Sequence, residues 1–279
     1  MEIYRRLAEA VPAANLPHLA MALQNLGIQL SWLDRGEDAL SRIGEAVEIY
    51  GRLARSLPSA YLPSFASSLA ALGNLLARLG RWGQALDVYR DSVDVYRGLA
   101  EADRAAHLKD YAIALNNLGA QLSRQGRDDE AVAPIEESVT IHRRLADHDP
   151  GHLPYLASSL NNLGHRLFDI GRVAESITPT REAVIIRRQL AEANPAAHLR
   201  GLLTTLWGIV RVRTSRGVDL PGALAAAEEV VAIYERLVQM SPAYAGDLRA
   251  ARHAVADVID RLGPSEEAAE RRRERRYRT

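Results

Sequence analysis

The chain has 279 residues, 47% of them hydrophobic and 25% charged, with 35 basic and 35 acidic side chains and a formal net charge of +0. That balance supplies no overall field to draw the chain to nucleic acid or to an anionic membrane. The absence of cysteine excludes disulfides, thiolate catalysis and cysteine-based zinc sites. Only 5% of residues are aromatic, so the core must be built from Ala, Leu, Val and Ile, a palette that favours helices.

The first residues, Met1 to Arg6, carry no apolar signal-peptide core. No apolar run is read as reaching the roughly 20 residues that span a bilayer. A cytoplasmic protein with no membrane partner is the expectation.

Taken in chain order, the sequence is a repeat. Glu2-Ile3-Tyr4-Arg5-Arg6-Leu7-Ala8 returns as Glu48 to Ala54, Asp94 to Ala100, Thr140 to Ala146 and Ile185 to Ala191, with Ala232 to Val238 a looser copy. The shared Leu stands at 7, 53, 99, 145, 190 and 237, a period of about 46 residues. Residues 1–12 match only the later part of a unit, so the chain is expected to begin within a repeat, with upstream repeats missing. Five units follow, at 13–57, 58–103, 104–149, 150–194 and 195–241. Residues 242–279 read as C-terminal capping helices: Ala243 to Leu262 fits a sixth first helix, and the charged stretch from Pro264 supplies a polar outer face.

Each unit holds two helices. In the third, Leu108, Tyr111, Leu115, Leu118 and Leu122 recur at helical steps. Gly126-Arg127-Asp128 breaks the pattern, with Asp128 placed as the N-cap of the next helix. Val132, Ile135, Val139, His142 and Leu145 then resume it, until Asp147 to Gly151 ends the unit. Short connections make the two helices antiparallel neighbours.

Gly27, Gly73, Gly119 and Gly164 recur at one phase inside the first helices. Glycine there costs about 1 kcal/mol relative to Ala, so close backbone approach between paired helices is expected. Val210 fills that phase in the fifth unit, where wider spacing is expected. Pro134 and Pro179, near the start of their second helices, are expected to delay or kink them.

These residues resemble the tetratricopeptide repeat (TPR) family. The third unit carries its pattern as Leu115, Leu118-Gly119, Leu122, Ala131, Ile135 and Pro150, and the first as Leu23, Leu26-Gly27, Leu30, Ala39, Ile43 and Pro58. The unit is roughly a dozen residues longer than the usual one of about 34. Together with Asn-Asn-Leu-Gly at 116–119 and 161–164, that length is similar to the kinesin light chain subgroup and to arrays on bacterial NB-ARC/STAND signalling NTPases. The resemblance implies an all-α, right-handed superhelical solenoid of antiparallel helix pairs. It also implies a concave groove, lined by first helices, that holds a protein or peptide.

Residues one step round from the core phase are the groove candidates: Gln24 with Ile28 and Trp32, Asn74 and Arg78, Asn116 and Arg124, Asn161 and His165, Trp207 and Arg211. Asn both donates and accepts, so it can bond peptide backbone of any sequence. Trp offers flat apolar contact, and Arg favours carboxylates. The lysine clamp that some TPR proteins use for chaperone tails has no match, because these phases carry no Lys.

No phosphate loop, His-Glu-x-x-His, Gly-x-Ser-x-Gly or calcium loop is present, so binding rather than catalysis is expected, with no cofactor and no metal. His107, His152 and His198 share one repeat phase and read as a structural slot. His148 and His152, beside Asp147 and Asp149, read as a solvated loop. The basic run Arg271 to Arg278 is the one hint of an anionic partner such as nucleic acid. Stacking of copies through exposed solenoid ends is the alternative role.

Overall fold

The computed structural model describes residues 2–263. The basic run Arg271 to Arg278 and the charged stretch from Pro264 lie outside the described residues. The described chain is helical throughout, with no strand among the described residues. Its helices are α1 (Glu2–Ala10), α2 (Pro12–Trp32), α3 (Gly36–Ser56), α4 (Pro58–Arg78), α5 (Trp82–Ala102), α6 (Arg104–Arg124), α7 (Asp128–Ala146), α8 (Leu153–Asp169), α9 (Val173–Ala193), α10 (Pro195–Arg216), α11 (Leu220–Met240) and α12 (Ala245–Leu262). Short 3₁₀ turns at Pro150–His152 and Pro242–Tyr244 precede α8 and α12. The chain forms two compact units, residues 1–176 and 177–279, with the boundary inside α9.

In the first unit the pairs α2–α3, α4–α5 and α6–α7 are antiparallel. As α2 advances from Leu19 to Leu30, its partners on α3 recede from Tyr50 to Ala39. One residue in each turn between a first and a second helix takes a left-handed backbone: Asp34 (φ 56°), then Gly80, Gly126 and Gly171. The turn therefore demands glycine-like geometry at a fixed phase, and Asp34 adopts it with a side chain.

Asp128 does not cap α7. The cap position is Arg127, and Asp128 is the first helical residue. Its carboxylate instead accepts from Arg166 of α8 at 2.9 Å. The prolines do not delay their helices either. Pro134 lies inside α7 and Pro179 inside α9. Pro134 forfeits one backbone hydrogen bond, while Ala131, Ile135 and Ser138 around it are fully buried and hold the segment helical.

The recurrent glycines show the expected close approach. A Cβ at Gly27 would lie 2.5 Å from Ile43 Cγ1 and 3.1 Å from the Ala39 carbonyl. One at Gly119 would lie 2.8 Å from Ile135 Cδ1 and 3.1 Å from the Ala131 carbonyl. Small buried hydroxyls bond across the same seam. Ser92 donates to the Ala66 carbonyl at 3.1 Å, and Ser138 to the Ala112 carbonyl at 2.8 Å. Leu118, assigned to the core phase, is only half-buried; it packs against the cluster of Leu76, Ala77, Ala85 and Tyr89 in the preceding repeat, joining neighbouring repeats.

α4 corrects the reading of apolar runs. By length and composition it is the one described helix long and apolar enough to cross a membrane. Its Ser and Ala residues hide that average from a search for Leu-rich runs, and its Ala66, Leu69, Leu75 and Leu76 are buried in the first unit.

In the second unit α10, α11 and α12 share a core that includes Leu202, Leu206, Val230 and Val258. Val210, in the glycine phase, is buried there. Arg213 pairs with Asp219, the left-handed residue that caps α11.

Candidate functional site

In the first unit, α2, α4, α6 and α8 are the first helices of consecutive repeats, and side-chain bonds link them. Arg78 of α4 donates to the main-chain carbonyl of Ser31 at 2.6 Å and to its hydroxyl at 3.1 Å. Asn162 of α8 donates to Asn116 Oδ1 of α6 at 3.1 Å. Arg261 of α12 donates to the Thr214 carbonyl of α10 at 3.1 Å. This repeats the Arg78–Ser31 contact in the second unit, at the same repeat phase. An orphan carbonyl in the last turn of one first helix is thus satisfied by an Arg from the next.

The candidates of the first unit share this face but differ in what they offer. Asn74 is exposed, and its Oδ1 accepts from the Tyr89 hydroxyl at 2.7 Å. Burial pushes the Tyr89 phenol up to about 12, with Arg124 opposing the shift, so Tyr89 stays a donor at neutral pH. Asn116 is half-buried with its oxygen held by Asn162. In both residues the oxygen accepts one internal bond, and the amide NH₂ is left to donate. Asn161 is half-buried, and its Oδ1 is closed off from solvent without a donor. Gln24 and His165 are half-buried on α2 and α8. Ile28 is drawn into the core cluster of Leu30, Ala39, Ile43 and Leu75.

Arg78 and Arg124 are exposed, and each lies over an indole. The Arg78 guanidinium carbon is 5.1 Å from the Trp32 ring centroid, and that of Arg124 is 5.8 Å from the Trp82 ring. Gln121 and Gln125 of α6 fix the same Trp82 by donating to its carbonyl at 3.0 and 2.7 Å. Trp82, Tyr89 and Asn162 were not among the sequence candidates. Trp82 opens a second helix, and the other two act through a side chain on a neighbouring helix.

Trp207 and Arg211 belong to the second unit. Trp207 is half-buried against the core of that unit and hydrogen-bonded to Tyr234. Arg211 is exposed.

His142 occupies the phase of Tyr50 and Tyr96, is fully buried and stacks on Tyr155 at 5.5 Å. Its Nδ1 has no partner, and burial, aided by the charges of His152 and Lys109, pushes its pKa down to about 4. Among the described residues no group of three or more His, Asp or Glu could hold a metal ion.

Consecutive antiparallel helix pairs with a glycine seam define a helical-hairpin repeat protein. The sequence profile of the tetratricopeptide repeat matches residues 65–103, 112–152 and 156–196. A sequence search of curated proteins finds no match. Among solved structures, BtubC (BKLC) from P. vanneervenii superposes with a TM-score of 0.61 at 20% identity, covering 87% of this chain and 91% of that one. The apo form of RapI gives 0.55 at 11% identity, covering 88% and 83%. The Rap conjugation gene regulator of plasmid pLS20, solved in complex with the Phr* peptide, gives 0.51 at 14% identity, covering 96% and 68%. At these identities the likeness is one of fold.

Proposed function

We propose that the chain is a binding scaffold that holds a peptide or protein segment along the first helices of its first unit. The observation that carries this reading is the donor row. Asn74 and Asn116, on successive first helices, each have their oxygen occupied by an internal donor and their NH₂ left over. A row of donors spaced by helix packing suits the carbonyls of an extended backbone, which are acceptors of any sequence. The peptide bound by the pLS20 regulator, a structure of similar fold, supports the same use. A cytoplasmic setting, membership of the long-repeat kinesin-light-chain-like subgroup and a place as the sensor or scaffold arm of a larger NB-ARC-type signalling protein are part of this proposal.

The test uses a peptide selected from a random display library against the wild-type chain. Asn74→Ala with Asn116→Ala is expected to weaken its binding at least tenfold while the chain stays folded by circular dichroism, with the melting temperature lowered by the loss of the bonds from Tyr89 and Asn162. Unchanged affinity in the double variant removes the groove from the account.

A second reading, self-assembly through the ends, has one observation in its favour. Ile3 and Leu7, one turn apart on α1, are 73% and 44% exposed. In the next repeat Ile49, the counterpart of Ile3, is buried and Leu53, the counterpart of Leu7, is half-buried. Light scattering that shows mass rising with concentration, and falling back in Ile3→Glu, supports assembly; a constant monomer mass rejects it.

A further inference from the structure

The second helices carry a ladder of arginine and acid. Arg5, Arg97, Arg143 and Arg188 hold one repeat phase, and Glu45, Glu137, Glu182 and Glu229 hold another. Arg5 of α1 pairs with Glu45 of α3 at 2.7 Å, and Arg188 of α9 with Glu229 of α11 at 2.9 Å. Arg97 of α5 reaches Glu137 of α7 through Tyr111, whose hydroxyl accepts from Arg97 at 3.3 Å and donates to Glu137 at 2.9 Å. One rung is broken. Gly51 of α3 stands at the arginine phase and Asp91 of α5 at the acid phase.

Asp91 is exposed and has no ion pair or hydrogen bond among the described residues. Its neighbours on α5 are matched, Asp87 to Arg90 at 3.9 Å and Asp94 to Arg97 at 3.0 Å. Desolvation first, and then the charges of Asp94 and Asp87, push the Asp91 pKa up. The tyrosine of the rung is missing as well, because half-buried Phe65 holds the phase of Tyr111. A Cβ at Gly51 would lie 3.2 Å from Phe65 Cε2, so the ring occupies the place where an arginine stem would start. A phenyl ring there offers a face to a cation but no donor to the carboxylate. Both groups that serve the acid in the rung of Glu137 are therefore replaced at once.

We propose that Asp91, Phe65 and Gly51 form an acceptor for one arginine side chain of a partner protein, which brings from outside the guanidinium that the chain itself supplies to Glu45, Glu137 and Glu229. A guanidinium suits the place better than an ammonium. It is planar, donates to a carboxylate as a fork and stacks on a ring. A metal ion is the poorer occupant, because Asp87 and Asp94 are committed to arginines and Asp91 alone is left to ligate. The rung lies on the second helices, so the inference is independent of the groove reading and concerns a different ligand.

The experiment uses the full chain carrying Glu48→Cys, which gives a single thiol because the chain has no cysteine of its own. Position 48 is exposed and lies one turn from Gly51 on α3. A lone exposed ion pair is weak, and a reversible disulfide tether raises the effective concentration of the probe until a preference can be read. Three short peptides compete for the thiol in a glutathione buffer, and mass spectrometry counts the adducts. Each peptide has one cysteine and, two positions away, arginine, lysine or citrulline. The expected result is an arginine adduct at least fivefold over citrulline and threefold over lysine. Asp91→Asn should remove that preference while circular dichroism stays unchanged, since this carboxylate bonds nothing in the fold. Gly51→Arg, which refills the rung from within, should remove it too. That variant needs the Phe65 ring to give way, so Asp91→Asn decides the matter if Gly51→Arg fails to fold. Equal capture of the three peptides, capture of lysine over arginine, or an arginine preference that survives Asp91→Asn overturns the proposal.

Discussion

At the scale of single residues, the repeat acts as an internal control. The position held by Tyr50 and Tyr96 is held by His142, equally buried, with one ring nitrogen unpartnered. Its pKa is lowered to about 4, first by burial and then by His152 and Lys109, so the folded state favours the neutral ring. The unfolded chain titrates near 6.5. The contribution is therefore whole above pH 6.5, declines as pH falls toward 4, and is exhausted below it. The loss is on the order of 3 kcal/mol by the equivalence of pKa shift and free energy. Urea unfolding of the wild type between pH 7 and 4 should show that decline, and His142→Phe should flatten it. A wild-type curve with no greater pH dependence than the variant contradicts the assignment. The sequence showed His142 at helical spacing but not its burial against Tyr155, which comes from the next repeat.

At the scale of helices, the period made the pairs legible, because a recurring glycine inside a helix has to be explained by what touches it. The structure supplies the cause in Ile43, Tyr89 and Ile135. Adding a methyl at Gly119 forces Ile135 and the Ala131 carbonyl aside, at a cost of about 1–3 kcal/mol that outweighs the helix-propensity gain of about 1. Gly98, also within a helix, has nothing within 4 Å of a new Cβ. Gly119→Ala should therefore destabilise the chain, and Gly98→Ala should stabilise it by up to about 1 kcal/mol. Denaturant midpoints measured side by side decide it, and the same sign for both would undo the packing argument. Two local readings failed for a shared reason. Local chemistry suggests that Pro134 delays or kinks its helix and that Asp128 caps it; α7 starts before Pro134, so there is no delay, and the burial around Pro134 and the bond from Arg166 come from packing between helices.

At the scale of the molecule, the same contrast governs the candidate site. That Asn74, Asn116, Arg78 and Arg124 fall on the first helices could be read from phase alone. What makes them a donor row could not, because the groups that occupy their oxygens lie 15 and 46 residues away. Trp82 opens a second helix, so its place beside Arg124 comes from packing between helices and not from the phase of the first helices. Trp207, conspicuous in the sequence, is half-buried in the packing of the second unit. The central claim is that ligand lies along the first helices of residues 1–176. Photo-crosslinking tests it most directly, with a benzophenone side chain placed at position 120, one turn from Asn116 on α6, or at exposed position 140 on α7, and the library-selected peptide as ligand. The account predicts peptide adducts from position 120 and none from 140. Adducts from 140 with none from 120 would place the binding face on the second helices and contradict it.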